Sequence, residues 1–238
     1  MHKLTTRFSP TTDGWLHPGH IYLALVNQAE ARRSSGKFIL RLDDSQEIWS
    51  LRHGPFMAAQ ISIDTQEDMR RFGIIPDEIV SQVAGMEEMN KMLHQLNGGD
   101  FPYHDLIWSD NSPDVVGDDI AYCAYNPHMI AEKVVFDFLE GITLLIRGED
   151  LITEFSLYSH LCNQWRIPQP RHVYLPRLMT TSGEMRKSEG GLSIRELLSA
   201  GYSTDDIMAA LREACLLDKT RGWYIDNIKA QPVLGDMR

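Results

Sequence analysis

Residues 3–9 alternate moderately between polar and apolar positions and stop at Pro10, which predicts a short strand. Thr11-Thr12-Asp13-Gly14 then supplies turn residues. From Gly19 to Arg33, Ile21, Leu23, Ala24, Leu25, Ala29 and Ala31 predict a helix, with Arg32 and Arg33 near its C-terminus and Gly36 just past it. Lys37–Leu42 is a compact strand. Strand, helix and strand within about 40 residues make a βαβ unit, hence a parallel sheet with right-handed crossovers. Helices are predicted over 52–72 and 85–96; the second gathers Met86, Met89, Met92, Leu93 and Leu96 into a core-facing stripe. Residues 98–120, rich in Gly, Asp, Pro and Asn, predict an irregular insertion. Residues 134–139 and 142–146 predict two strands joined at Glu140-Gly141. A helix over 151–165 and a strand over 172–176 follow. From Ser193 to about Leu217 the pattern is helical: Ser193 caps one helix, Gly201 ends it, and Ser203 or Thr204 caps the next.

The 238 residues and 27.2 kDa allow about 70% of the extended surface to be buried, so a sizeable core is available. At 43% hydrophobic and 24% charged residues the chain is of ordinary globular composition. No stretch approaches 18 apolar residues and the first residues lack a signal-peptide core, so a cytoplasmic protein without membrane contact is expected. Cys123, Cys162 and Cys215 are scattered without a CxxC pair, which argues against a disulfide framework or structural zinc. The net charge of −10 is uneven: residues 1–41 carry +4, residues 42–150 carry −15, and the remainder is near balance. The acidity belongs to the middle, and a polyanion can still approach the two ends.

Two clusters carry candidate chemistry. His17-Pro18-Gly19-His20 falls between the first strand and its helix, where a parallel sheet binds ligands and a helix N-terminus offers N–H donors to phosphate. No further ligands are spaced for a metal site around it. Glu184-Met185-Arg186-Lys187-Ser188, ahead of Gly190-Gly191, puts a lysine in a polar loop, where it can neutralise developing phosphate charge.

Together these blocks resemble the glutamyl/glutaminyl class I aminoacyl-tRNA synthetases. Arg7-Phe8-Ser9-Pro10-Thr11-Thr12-Asp13-Gly14-Trp15-Leu16-His17-Pro18-Gly19-His20 is similar to that family's RFAPSPTG opening and HIGH motif. Lys37–Ser45 resembles its F-x-LRIEDTD, and Gly141–Asp150 its GITHVIRGED. Ser156-Leu157-Tyr158, Pro168 and His172–Pro176 match the helix and strand that follow. Glu184–Ser188 aligns with KMSKS, and Ser193–Tyr202 with the start of the stem-contact helices.

The resemblance implies an α/β fold: a Rossmann-like (HUP-type) parallel-sheet nucleotide-binding domain, a short α+β insertion and a small C-terminal helical module. Residues 1–72 and 131–192 would be the two halves of the catalytic domain, 73–130 the insertion and 193–238 the stem-contact-like module, with no anticodon-binding domain. It further implies a ligase that uses ATP with Mg2+ to activate an amino acid, glutamate or a related acid or amide, for transfer to a tRNA acceptor end. His17, His20 and Lys187 would be catalytic; Thr11, Gly19, Asp150 and Ser188 would join them around ATP. Arg7, Asp43, Lys133 and Arg147 would hold the amino acid, and Asp44 would face the tRNA 3′ end.

The departures bear on these roles. The first Lys and the Ser of KMSKS are here Glu184 and Arg186, and the family's pocket Tyr and Asn become Met129 and Lys133. Asp43 is one methylene shorter than the family's Glu. The length resembles the shortened glutamyl-queuosine type of paralog, whose zinc motif is missing here. A catalytically weakened nucleotide- or RNA-binding paralog, and an adenylate-forming ligase with a non-tRNA acceptor, are the alternative readings.

Overall fold

The structure is a computed structural model that describes residues 2–44, 55–96, 127–176, 178–180, 183–184, 193–215 and 233–234. Strands β1 (Thr5–Phe8), β2 (Lys37–Leu42), β3 (Glu78–Ser81), β4 (Leu144–Gly148) and β5 (Arg171–Leu175) form one sheet in the order β3-β2-β1-β4-β5. Every neighbouring pair is parallel. The order reverses between β1 and β4, so the topological switch point lies at their carboxyl ends.

Helix α1 (Pro18–Arg33) follows β1, and α2 (Pro55–Arg71) and α3 (Gln82–Leu96) flank β3. Helix α4 (Pro127–Leu139) precedes β4; a 3-10 turn over Glu149–Glu154 leads into α5 (Phe155–Trp165). A small sheet of β6 (Met179–Thr180), β7 (Gly183–Glu184) and β8 (Val233–Leu234), with helices α6 (Ile194–Ser199) and α7 (Thr204–Cys215), completes the described chain.

The two sheet faces build two cores. Phe8, Phe38, Leu40, Leu42, Leu144 and Ile146 pack with α1 and with Ile194, Leu197, Ile207 and Leu211 of α6 and α7. Ile39 and Leu145 face the other way, onto α3, α4 and α5. Strand alternation therefore sends Arg7, Arg41 and Arg147 to this second face, beneath α4 and α5.

Two expectations are corrected. Residues 134–139 are helix, not strand. Ile130, Ala131, Val134 and Val135 are buried at helical spacing, while Phe138 is exposed. Gly141, at φ +67°, ends α4 in a Schellman turn: Ile142 N–H donates to the Asp137 carbonyl at 2.8 Å, and Gly141 N–H to that of Phe138 at 3.0 Å. A tight hairpin is also incompatible with β4, which runs parallel to both its neighbours. Second, residues 78–81, expected inside the insertion over 73–130, are the edge strand of the main sheet. Ser193 and Ser203 cap α6 and α7 as predicted, each exchanging hydrogen bonds with the acid three residues on, Glu196 and Asp206.

Candidate functional site

A cleft of about 350 Å³ opens at the switch point. β1 and the chain after it contribute Arg7, Ser9 and Thr11; the start of α1 contributes His17, Gly19 and His20. β4 and its 3-10 turn contribute Arg147, Gly148 and Asp150. The volume falls within the roughly 300–1,000 Å³ of small-molecule sites.

The two histidines are set by the helix they start. His17 is the N-cap, and its Nδ1 accepts from Gly19 N–H at 3.1 Å. His20 Nδ1 accepts in turn from His17 N–H at 3.2 Å. The rings stack with centroids 3.8 Å apart. A ring that accepts at Nδ1 carries its proton at Nε2, so in its neutral form each imidazole is a donor there. Pro18 occupies the first helical position, where no N–H is needed. Gly19 leaves room for the His17 ring, since a Cβ there would sit 2.8 Å from Cε1. Similarly, a side chain on Gly148 would run into the Asp150 carboxylate.

Behind the cleft lies an ion network that the sequence reading missed. Asp137 of α4 accepts from Arg7 Nε at 2.7 Å and Nη2 at 3.2 Å, from Arg41 Nη2 at 2.6 Å and from Tyr158 Oη at 3.0 Å. Burial alone would raise the Asp137 pKa; the guanidiniums of Arg7 and Arg41 outweigh it and hold the carboxyl well below the usual range. Arg41 also reaches Glu140 at 3.3 Å. Burial pushes Glu140 up, with Arg41 opposing.

A second group shares the next carboxylate. Glu154 accepts from Lys133 Nζ at 2.8 and 3.1 Å and from Arg147 Nη1 at 2.9 Å. Lys133 and Arg147 overcome the burial of Glu154 and lower its pKa. Burial lowers that of Lys133 despite Glu154. Arg147, 3% exposed, lies over the Tyr158 ring, and its buried Nε has no hydrogen-bond partner.

Arg7, Thr11, His17, Gly19, His20, Arg147 and Asp150 are thus brought together on one cleft. Lys133 stands behind Arg147 and does not line it. The backbone of Asp43 is bonded to Pro10 and Thr12, and the buried residue is not among the lining groups. The Asp44 carboxylate accepts from Ser81 Oγ at 2.6 Å and from Val83 N–H at 2.9 Å, which caps α3. Lys187 and Ser188 lie outside the described residues. Among the described residues no three His, Cys, Asp or Glu side chains gather as a metal site, and no helix is long and apolar enough to cross a membrane.

Residues 3–105 match the family model of tRNA synthetases class I (E and Q), catalytic domain. The glutamate–tRNA ligase 2 of Methylobacterium sp. (strain 4-46) is 27% identical over 265 residues, covering 82% of this chain and 57% of its own length. The glutamate–tRNA ligase 2 of Ehrlichia ruminantium (strain Welgevonden) is 23% identical, covering 100% and 64%. The chain therefore spans about three-fifths of the length of these relatives. The crystal structure of a glutamate tRNA ligase from Elizabethkingia meningosepticum superposes with a TM-score of 0.58 at 17% identity, covering 84% of this chain and 54% of that one. The tryptophanyl-tRNA synthetase of Plasmodium falciparum reaches 0.54 at 13% identity. These structures share the Rossmann-like fold.

Proposed function

We propose that this chain, which resembles the glutamyl-tRNA-synthetase class I catalytic core, uses ATP to activate an amino acid as its adenylate and passes it to a tRNA or tRNA-like acceptor. The carrying observation is the His17–His20 pair at the start of α1, facing Arg147 and Asp150 across one cleft. Two Nε2–H donors and a helix N-terminus suit phosphate oxygens. Asp150, placed by the bare Gly148, suits ribose hydroxyls, with Thr11 alongside. Arg147 offers a carboxylate its unpartnered Nε, in the fork geometry that guanidinium and carboxylate share.

Lys187 is assigned to the charge that develops on the α-phosphorus as pyrophosphate leaves, with Ser188 beside it. Mg2+ would arrive with the ATP phosphates, which supply its ligands. Arg7 supports the carboxylate side of the cleft from its pairing with Asp137. The family resemblance assigns the amino group to Asp43, which does not line the cleft, and an RNA end to Asp44. A translation enzyme of this kind works in the cytoplasm.

The second reading, a binding or regulatory relative with weakened catalysis, draws on Glu184 and Arg186 in the loop and on the internal pairing of Arg7, Lys133 and Arg147. ATP–pyrophosphate exchange with each amino acid in turn separates the two. Exchange that depends on one amino acid and is lost in His20→Ala supports activation; ATP binding without exchange supports the second reading.

A further inference from the structure

The cationic corner at the second face of the sheet is already occupied by protein carboxylates. Among the described residues four cations stand there: Arg7, Arg41, Lys133 and Arg147. Asp137 and Glu140 answer the first two, and Glu154 answers the other two. The corner retains one net positive charge. Its unanswered donor is Arg147 Nε, buried and without a partner. Asp150 lines the same cleft and adds a further negative charge.

One ligand carboxylate can be accommodated on these terms. It would take the free edge of Arg147. A second carboxylate would find no uncommitted cation in this group. It would approach Glu154, whose Oε2 is 2.9 Å from Arg147 Nη1. Glu154 is largely buried, so solvent would screen that repulsion little.

Resting on the adenylation reading above, we propose that Glu154 is a built-in counter-ion that closes the Arg147–Lys133 corner to an acidic side chain, so that the amino acid this cleft takes has a neutral side chain. The substrate is therefore an amino acid with a single carboxylate, and glutamate and aspartate are discriminated against. Glu154 acts here as a specificity determinant, through the charge it places on Arg147.

The test uses the whole chain and two readouts. Calorimetric titration with L-glutamate should show no binding to wild type and clear binding to Glu154→Gln, a gain of about 10²-fold, the scale of removing a like charge from a buried contact. Because Glu154→Gln leaves Lys133 unanswered, the double variant Lys133→Met/Glu154→Gln repeats the experiment with both partners neutral, and the same gain is expected. Pyrophosphate exchange on wild type should be supported by a neutral amino acid in preference to glutamate. Glutamate binding to wild type as tight as to both variants overturns the proposal, as does the absence of any gain in both. If no amino acid supports exchange in wild type but the variants gain glutamate binding, the adenylation reading fails and the role of Glu154 stands.

Discussion

Arg7 and Asp137, 130 residues apart in the chain, meet through two hydrogen bonds behind the cleft. One end is the third residue of β1, the other lies within α4. The carboxylate also carries Arg41 and Tyr158, so a single side chain ties two strands and two helices together. Isolated, each buried ion would be costly; together they satisfy one another.

Asp137→Asn should therefore be severe. It leaves Arg7 buried without an anionic partner and Arg41 with Glu140 alone, and a loss of about 3–5 kcal/mol is expected in urea denaturation. Tyr158→Phe removes only one neutral donor and should cost about 1–2 kcal/mol. Equal losses in the two variants would show that Asp137 is not the hub.

His172 makes a pH prediction. Its ring lies edge-on to Phe155 and Tyr158, with Nδ1 3.3 Å from Tyr174 Oη. Burial, helped by the charge of Arg147, pushes its pKa down to about 4 from an ordinary 6.5. Between those values the unfolded chain binds more protons, so acid favours unfolding. The His172 contribution is intact above about pH 6.5 and gone below about pH 4. His172→Asn should flatten the fall of the urea midpoint across this window. An unchanged slope would refute the assignment.

Much of this architecture was legible in the chain, for physical reasons. β2 and α1 are bounded by turn chemistry and caps that act locally, so their limits agree with the pattern to within a residue. The run at 134–139 is apolar at both strand and helix periods, and local sequence cannot choose between them. Its one charged residue, Asp137, was the signal: an acid within Val-Val-Phe-Asp-Phe-Leu needs a buried cation. Likewise β3 reads as weak because it is an edge strand with exposed Glu78 and Ile79, and only its pairing with β2 defines it. The motif positions around the cleft were readable from the family resemblance. The partners Glu140, Glu154 and Arg41 were not, because ion pairing is a property of the fold.

Gly148 and Asp150 should behave as one unit. Gly148→Ala places a methyl group against the Asp150 carboxylate and forces it away. Both Gly148→Ala and Asp150→Ala are expected to weaken ATP binding by about tenfold, the scale of one or two lost hydrogen bonds. The double variant should be little worse than either single one. Fully additive losses by calorimetry would separate the two residues.

Lys187 should act on rate. Lys187→Ala is expected to slow pyrophosphate exchange by about 10²–10³ while ATP affinity changes little, as for a contact made only in the transition state. His20→Ala differs: it removes the acceptor of His17 N–H, so about 1 kcal/mol of stability should go with the exchange activity. A Lys187 variant that loses affinity and rate together would place the lysine in ground-state binding instead.

The last prediction concerns RNA and Asp44. Resemblance places Asp44 at the acceptor end, but its carboxylate already holds Ser81 Oγ and Val83 N–H at the start of α3. Asp44→Ala should therefore cost about 1 kcal/mol of stability, the loss of a cap. The surroundings are also unfavourable to a polyanion, since residues 42–150 carry a net charge of −15. Phosphate contacts supply most non-specific affinity and need Lys or Arg. Binding of total tRNA in an electrophoretic shift should accordingly be weak, shallow in its salt dependence and unaltered by Asp44→Ala. Substituting Arg212, on α7 and within residues 185–238, which carry no net charge, should weaken whatever binding remains. Tight binding with a steep salt slope, abolished by Asp44→Ala in a folded variant, would return Asp44 to the RNA and leave its capping bonds as the secondary role.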